Sequence, residues 1–268
     1  MRVIAHISDL HFGTEDPRLA NALLADLANL HPSVVAVSGD LTQRARRREF
    51  LSARAFLERL PAPRVVVPGN HDIPLFDIAR RFLAPLARFH RYVGPDANPF
   101  FEDGEMALLG INTARSNTWK DGRISEAQIA DLRARLCAVP PTLFKVIVTH
   151  HPFVPPPRDP APPLVGRGLR ALEAAAECGV ELLLAGHLHE GFTADVRATH
   201  VSLGRSMIVA QAGTALSHRR RNERNAYNLI TVDPPRLVFQ VRAWTGQRFE
   251  PAAATEYRKE GQEWLRQS

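Results

Sequence analysis

A short apolar segment ending in an aspartate and a histidine decides the fold of this chain: Val3-Ile4-Ala5-His6-Ile7-Ser8-Asp9-Leu10-His11. Its β-branched and apolar residues predict a buried strand over residues 3–7. An amphipathic helix is expected next, because leucines recur at three- and four-residue spacing between Leu19 and Leu30. The following apolar run, Val34 to Val37, predicts a second strand. This alternation is typical of βαβ units, and it predicts an α/β fold with an at least partly parallel sheet.

The same alternation continues to about residue 190. Further strands are expected at 64–67, 107–111, 145–149 and 181–185, with helices near 46–60, 75–92, 125–137 and 167–178. Alternating polarity then predicts mostly antiparallel strands at 192–196, 206–210, 227–232 and 237–241. Seven prolines between Pro152 and Pro163 predict an extended surface loop. We expect one domain over 1–268, with its chemical motifs at 9–189, a mostly β part at 191–245 and a tail at 246–268.

Composition excludes several classes of protein. The 268 residues are 45% hydrophobic, enough for a large core without disulfides or a structural metal. Two cysteines, Cys137 and Cys178, are too few for a disulfide framework and favour a reducing compartment. No apolar run reaches the ~18 residues of a membrane span, and the N-terminus lacks signal-peptide character. We therefore expect a cytoplasmic protein without a membrane partner.

The charge gives weak guidance about partners. The net charge is +6, yet only three of the 34 basic residues are lysines, so the arginine excess also fits a codon bias. A nucleic-acid partner is possible but not favoured. Two arginine-rich segments, 44–48 and 219–224, are either solvated surface or a rim that steers an anionic substrate. The oligomeric state stays open, with a homodimer through the late strands as one option.

Groups of metal-binding side chains follow five of the predicted strands. They are Asp9-Leu10-His11, Gly39-Asp40, Gly69-Asn70-His71-Asp72, His150 and Gly186-His187-Leu188-His189. Ligands of open α/β sheets bind beyond the carboxyl ends of the strands, so these groups can converge on one crevice. The glycines fit tight exits from the strands, where a residue without Cβ is needed.

Counting the donors predicts the kind of metal centre. The candidate ligands are Asp9, His11, Asp40, Asn70, His150, His187 and His189. Imidazole, carboxylate and amide donors without a thiolate suit Mn, Fe, Zn or Co. Seven donors exceed what one catalytic ion with open positions needs, but they serve two ions if a carboxylate bridges. The sequence therefore predicts a binuclear centre of divalent or trivalent ions.

These motifs, in this order, resemble the complete set of the calcineurin-like metallophosphoesterase superfamily across roughly residues 3–190. The stretches 7–13 and 39–42 are also similar to bacterial class III cyclic nucleotide phosphodiesterases. The resemblance implies a four-layer αββα sandwich with mixed sheets. It also implies that Asp9, His11 and His189 hold one metal, that Asp40 bridges, and that the remaining three ligands, Asn70, His150 and His187, hold the other.

The resemblance further implies roles in catalysis. Two ions would neutralise phosphate oxygens and supply a hydroxide for in-line attack. His71 would meet the leaving oxygen as general acid, and Asp72 would orient its ring by accepting a ring N–H. Three residues are weaker candidates for substrate contact: His151 beside a ligand, and Asn112 and Arg115 after a strand, where a structural turn is the competing interpretation.

The predicted function is metal-dependent hydrolysis of small phosphodiesters, with 3′,5′-cyclic nucleotides as the narrower candidate. A nuclease of the same superfamily is the first alternative, but it would need a longer basic track. A protein phosphatase is disfavoured, since those relatives carry Gly-Asn-His-Glu where this chain has Asp72. A non-catalytic scaffold is the alternative from another class, and the complete ligand set argues against it.

Overall fold

The structure, a computed structural model, describes residues 1–61, 63–157, 164–219 and 223–267. Within them the chain forms thirteen strands: β1 (Arg2–Ile7), β2 (Val34–Ser38), β3 (Arg64–Val67), β4 (Phe100–Glu102), β5 (Met106–Gly110), β6 (Phe144–Val148), β7 (Val180–Ala185), β8 (Phe192–Asp195), β9 (Ile208–Gln211), β10 (Ala226–Asp233), β11 (Arg236–Trp244), β12 (Phe249–Glu260) and β13 (Glu263–Arg266). They build two sheets, each containing parallel and antiparallel pairs.

The first sheet has seven strands in the spatial order β13-β12-β11-β10-β1-β2-β3. Its β1, β2 and β3 are parallel, while β10 to β13 extend it in antiparallel fashion. The second sheet has six strands in the order β4-β5-β6-β7-β9-β8. In it β5, β6, β7 and β9 are parallel, and β4 and β8 are antiparallel edges.

The described residues also form six α-helices: α1 (Pro17–Leu30), α2 (Arg47–Leu57), α3 (Ile78–Leu83), α4 (Ala87–Tyr92), α5 (Glu126–Leu136) and α6 (Gly168–Glu177). Buried apolar residues of α1 and α2 pack on the first sheet, and those of α5 and α6 pack on the second. A third apolar cluster joins the facing sides of the two sheets. The predicted αββα sandwich with mixed sheets is therefore confirmed. One domain over 1–268 stays a prediction, supported by this shared core.

Most predicted elements form, with three corrections. The single helix expected at 75–92 is two short helices, α3 and α4, because Pro85 between them cannot continue a helix. The strand expected at 206–210 forms as β9, but it pairs parallel with β7 and antiparallel only with β8. The tail at 246–268 holds two strands, β12 and β13, that complete the first sheet. Of the predicted proline-rich loop, residues 158–163 lie outside the described residues.

The two cysteines form a disulfide, Cys137–Cys178, which joins the C-terminal ends of α5 and α6. Buried Lys145 donates hydrogen bonds to backbone carbonyls at both ends, those of Leu136 and Cys178. The argument from cysteine count to a reducing compartment was wrong. The count of two cysteines does not show that helix packing brings them together to form a disulfide. The cytoplasmic location stays a prediction. Among the described helices, none is long and apolar enough to cross a membrane.

Candidate metal centre

The candidate ligands lie where the parallel strands of both sheets end. Asp9 and His11 follow β1, Asp40 follows β2 and Asn70 follows β3, whereas His150 follows β6 and the His187/His189 pair follows β7. Backbone hydrogen bonds tie the loops together: His11 N donates to Asp40 O at 2.9 Å, and Gly186 N donates to His150 O at 3.0 Å. The crevice is therefore shared by two sheets.

Five of the seven candidate ligands have a left-handed backbone. The φ values are 53° at Asp9, 48° at His11, 50° at Asp40, 75° at His187 and 57° at His189. Non-glycine residues seldom adopt this conformation, and it concentrates at functional sites. The chain therefore holds these side chains in positions that it would not adopt without support from the surrounding fold.

The glycines of these loops have a reason that the sequence argument missed. Gly39 does have a positive φ of 89°. At Gly69, however, the limit is close approach, because a Cβ there would collide with the carboxylate of Asp40. A Cβ at Gly186 would collide with the hydroxyl of Ser8 in the same way. A Cβ at Gly39 would likewise collide with the ring of His150. All three glycines therefore leave room for the site, and Gly39 also has the positive φ.

The first group of ligands is Asp9, His11 and His189. Their ligand atoms lie within 4.8 Å of one another. The Oδ1 atom of Asp9 is 3.6 Å from Nε2 of His11 and 3.6 Å from Nε2 of His189. The two imidazole rings stack at a centroid distance of 5.2 Å.

The second group surrounds His150. Its Nε2 lies 3.2 Å from Oδ1 of Asn70, 3.2 Å from Nδ1 of His187 and 3.4 Å from Oδ1 of Asp40. The other oxygen of Asp40, Oδ2, is 3.7 Å from Nε2 of His11 in the first group. Asp40 thus presents one oxygen to each group, which is the placement that a bridging carboxylate needs.

The unpaired atoms of this centre fit a cation. Oδ1 of Asp9 and both ring nitrogens of His11 are buried and have no hydrogen-bond partner. A buried polar atom without a partner costs about 1–3 kcal/mol, and a bound metal ion would remove that cost. The donors are nitrogen and oxygen without sulfur, which suits first-row divalent ions. The residues present therefore fit a metal centre.

The electrostatics favour the protonation states that bind metal. Burial alone would raise the pKa of Asp9 and Asp40, but neighbouring imidazoles hold both pKa values below the usual range. Burial lowers the pKa of His11, and it lowers that of His187 to about 3. The carboxylates are therefore charged and these two imidazoles are neutral. Burial opposes protonation of His150 too, but Asp40 raises its pKa to about 9, so a bound metal would displace a proton there.

Hydrogen bonds from outside the centre orient three of the ligands. Nδ1 of His150 donates to the carbonyl of Ser38 at 2.8 Å, which leaves Nε2 facing the centre. Nδ1 of His189 bonds the hydroxyl of Thr214, which itself donates to a backbone carbonyl. Oδ2 of Asp9 accepts from the Ser8 hydroxyl at 2.7 Å and from the backbone of His187 at 3.0 Å. Such partners fix which ligand atom points at a metal.

His71 lies beside the first group, but Asp72 does not orient it. The His71 ring meets His11 edge-on at a centroid distance of 4.9 Å, and its Nδ1 donates to the carbonyl of Gln43 at 2.8 Å. The oxygens of Asp72 accept from the backbone of Gly69, Leu41 and Thr42 and from the Thr42 hydroxyl. The predicted ring contact was wrong, because these loop N–H groups occupy the carboxylate.

His151 is buried next to the second group, and one of its ring nitrogens lies within 4.8 Å of ligand atoms of His150 and His187. Its Nδ1 bonds the hydroxyl of Thr113 at 2.7 Å, and its Nε2 bonds the carbonyl of Lys120 at 2.8 Å. Burial holds the pKa of His151 well below its usual value. With both ring nitrogens engaged and the side chain 1% exposed, His151 supports the loop that ends at Lys120. Contact of His151 with substrate stays a prediction.

Asn112 and Arg115 belong to the loop that follows β5. The Asn112 side chain accepts from the backbone of Ala114 at 2.9 Å. The Arg115 guanidinium donates to the carbonyls of Asn112 and Ala114 and to the side chain of Gln128. These bonds account for both residues structurally, and the structure does not bring them to the ligands.

The arrangement also contains residues that the sequence argument did not single out. Gln43 and Thr214 orient His71 and His189, and Arg219 places Nη1 3.0 Å from Nε2 of His71. Arg219 belongs to the second arginine-rich segment, of which 220–222 lie outside the described residues. In the first segment, Arg46, Arg47 and Arg48 are exposed. Only the charge of these segments was visible in the sequence.

Comparison with known proteins gives the family. The sequence profile of the calcineurin-like phosphoesterase family matches residues 2–191, so the chain belongs to that family. A glycerophosphodiester phosphodiesterase of Enterobacter lignolyticus is 30% identical over 169 residues, which span 57% of this chain and 58% of that protein. A probable cyclic nucleotide phosphodiesterase of Synechococcus is 27% identical over 217 residues, 70% of this chain and 74% of that protein.

A solved structure agrees on the fold. A dimetal phosphatase of Danio rerio superposes with a TM-score of 0.65 at 14% identity, covering 90% of this chain and 96% of that one. The chain is therefore a hydrolytic enzyme of the calcineurin-like phosphoesterase family with a candidate metal site built from Asp and His.

Proposed function

We propose that this chain is a phosphodiesterase that hydrolyses small phosphodiesters at a centre of two metal ions. One observation carries the proposal: Asp40 presents Oδ1 to His150 at 3.4 Å and Oδ2 to His11 at 3.7 Å, between two ligand groups. One carboxylate between two sets of imidazoles suits two neighbouring cations better than one.

The residues present would hold Mn, Fe, Zn or Co ions. Asp9, His11 and His189 would bind one ion and Asn70, His150 and His187 the other, with Asp40 between them. When bound, such ions neutralise phosphate charge and lower the pKa of an attacking water. The buried carboxylates contribute two negative charges, which keep cations in a crevice that is otherwise rich in imidazole and arginine.

His71 would protonate the leaving oxygen. Its Nδ1–H is donated to the Gln43 carbonyl, so Nε2 is the atom that can exchange a proton with a substrate. Asp72 acts as a positioning residue in this proposal, because it holds the loops that carry Asp40 and His71. General acid catalysis of this kind typically contributes about 100- to 10,000-fold to the rate.

Relatives support a diester substrate and leave its identity to experiment. One is described as a glycerophosphodiester phosphodiesterase and another as a probable cyclic nucleotide phosphodiesterase. Both names describe enzymes of small phosphodiesters, and the stretches 7–13 and 39–42 favour 3′,5′-cyclic nucleotides. No observation of the described residues favours a nuclease or a scaffold over this function.

The test is a substrate screen with protein reconstituted in Mn²⁺, Fe²⁺, Zn²⁺ or Co²⁺. The substrates are a phosphomonoester, a linear diester, a 3′,5′-cyclic and a 2′,3′-cyclic nucleotide, and single-stranded DNA. We expect a small diester to give the highest kcat/KM, with the 3′,5′-cyclic nucleotide first. An Asp40→Asn variant is the matched control, since it removes the bridging charge at nearly constant volume.

Two results would contradict the proposal. A clear preference for single-stranded DNA would support the nuclease. Inertness toward every substrate, with both metals bound, would support the scaffold.

A further inference from the structure

Arg219 is in direct contact with His71. Its Nη1 lies 3.0 Å from Nε2 of His71 and 3.4 Å from Oε1 of Gln43. The same Nη1 lies 3.5 Å from Nδ1 of His71, so the guanidinium lies over the imidazole ring and not along the lone pair of one nitrogen. Nδ1 keeps its own bond, to the Gln43 carbonyl. The guanidinium therefore covers the ring that the proposed reaction uses at the leaving oxygen.

The backbone of Arg219 is held by two buried hydroxyl residues, one of which also contacts a candidate ligand. Its carbonyl oxygen accepts from the hydroxyl of Thr214 at 2.7 Å, and the same hydroxyl bonds Nδ1 of the candidate ligand His189. Its N–H donates to the hydroxyl of Ser217 at 3.3 Å. Both Thr214 and Ser217 are buried. The position of Arg219 is thus coupled to that of a ligand.

The charge of Arg219 has no carboxylate partner in the part of the chain that the structure describes. Its polar contacts there are the imidazole of His71 and the amide oxygen of Gln43, both neutral acceptors. A phosphodiester carries a negative charge and oxygens that match the donor fork of a guanidinium. An anionic substrate is therefore a stronger acceptor for Arg219 than either present contact.

We propose that Arg219 is a substrate-binding residue whose guanidinium moves from His71 to a non-bridging oxygen of the bound phosphodiester. This inference rests on the proposed function, since it assumes that phosphate binds at the metal centre. The movement has a second consequence: it uncovers the imidazole of His71, whose Nε2 can then face the leaving oxygen. Because Nδ1–H is donated to the Gln43 carbonyl, Nε2 must first take up a proton from solvent before it can act as general acid. Binding of the phosphate and exposure of His71 are then coupled.

The test measures binding of inorganic phosphate to the Mn²⁺-reconstituted protein by calorimetry. Arg219→Gln removes the charge, Arg219→Lys keeps the charge but lacks the planar set of guanidinium donors, and Arg258→Gln removes the same charge from an exposed position on β12. We expect Arg219→Gln to weaken phosphate binding about 10- to 100-fold, the range of a hydrogen bond to a charged group. Arg219→Lys should recover part of the loss, and Arg258→Gln should stay within about twofold of the wild type.

Metal content is measured for every variant. The inference is overturned if Arg219→Gln binds phosphate as tightly as wild type, if Arg258→Gln shows an equal loss, if the wild type binds no phosphate, or if Arg219→Gln loses its metal. The proposed function fails separately: a wild type that binds phosphate but cleaves no diester would refute that function. The binding comparison would still decide the role of Arg219.

Discussion

Nδ1 of His71 lies 2.8 Å from the backbone carbonyl of Gln43, so main chain, and not the carboxylate of Asp72, orients the imidazole. This carbonyl acceptor keeps a proton on Nδ1 of His71 and adds no charge beside the candidate metal centre. Because no side-chain substitution at position 43 removes this acceptor, the orientation of His71 depends on the loop after β2. That loop is in turn held by Asp72.

Replacing His71 by glutamine should lower kcat on a diester with a poor leaving group about 100- to 10,000-fold, because the general acid is lost. Metal content should not change, since His71 is not among the candidate ligands. The measurement is a kinetic comparison with a diester whose leaving group needs no protonation, where the loss should be small. His90→Gln, at an exposed position, is the control. Full activity of His71→Gln on the poor leaving group would remove His71 from the mechanism.

Asp72→Ala should destabilise the fold by about 3 kcal/mol or more. Buried Asp72 accepts from three backbone N–H groups and one hydroxyl, and removing it leaves these donors unpaired. The free energy of unfolding, measured in urea, should show the loss, whereas exposed Asp121→Ala should remain within about 0.5 kcal/mol of wild type. A stability equal to that of wild type would contradict a positioning role for Asp72.

Thr214→Val should weaken metal binding about 10- to 100-fold, the usual effect of removing the partner of a ligating histidine. The hydroxyl of Thr214 is the acceptor that orients His189, and valine keeps the shape without it. Metal affinity can be measured by competition with a chromophoric chelator. Thr199→Val makes the same chemical change at an exposed residue. If both variants bind metal like the wild type, Thr214 does not orient the ligand.

The metal-free protein should lose stability as the pH falls below about 6.5, in part through His6. This residue is fully buried against Ser38, and burial lowers its pKa to about 3, whereas an unfolded histidine titrates near 6.5. The unfolded state therefore binds the proton first, and acid favours unfolding. At pH 4.5 this linkage amounts to about 2–3 kcal/mol.

Urea denaturation in a chelator at pH 7.5 and 4.5 tests this titration. His6→Gln, which keeps a hydrogen-bonding side chain without a titrating group, should lose correspondingly less stability between the two values. An equal loss in the variant and the wild type would contradict the role assigned to His6.

Local sequence was enough for the alternation of strands and helices and for the polar residues at the strand ends, whereas the four-layer sandwich came from the family resemblance. Each parallel strand is a short apolar run, and each candidate ligand follows one directly, as Asp40 follows β2. The strands β12 and β13 were not predicted from the sequence. Residues 251–254 of β12, Pro-Ala-Ala-Ala, are exposed and show no apolar alternation. That segment is a strand because β11 pairs with it along its length.

Contacts between distant residues could not be read from the sequence. The carboxylate of Asp72 lay next to His71 in sequence, but N–H groups about thirty residues away compete for it and prevail. Arg219 reaches His71 across 148 positions, and Cys137 reaches Cys178 across 41. In each case the fold determines which residue each side chain contacts, while the sequence shows only the functional group that the side chain carries.

The most direct test of the central claim is the number of Mn²⁺ ions that each chain binds, measured by equilibrium dialysis followed by elemental analysis. We predict two ions per chain in the wild type. Asp40→Ala should weaken the binding of both, because this carboxylate faces both groups of ligands. One ion or none per chain in the wild type, or two tightly bound ions in Asp40→Ala, would contradict a centre bridged by Asp40.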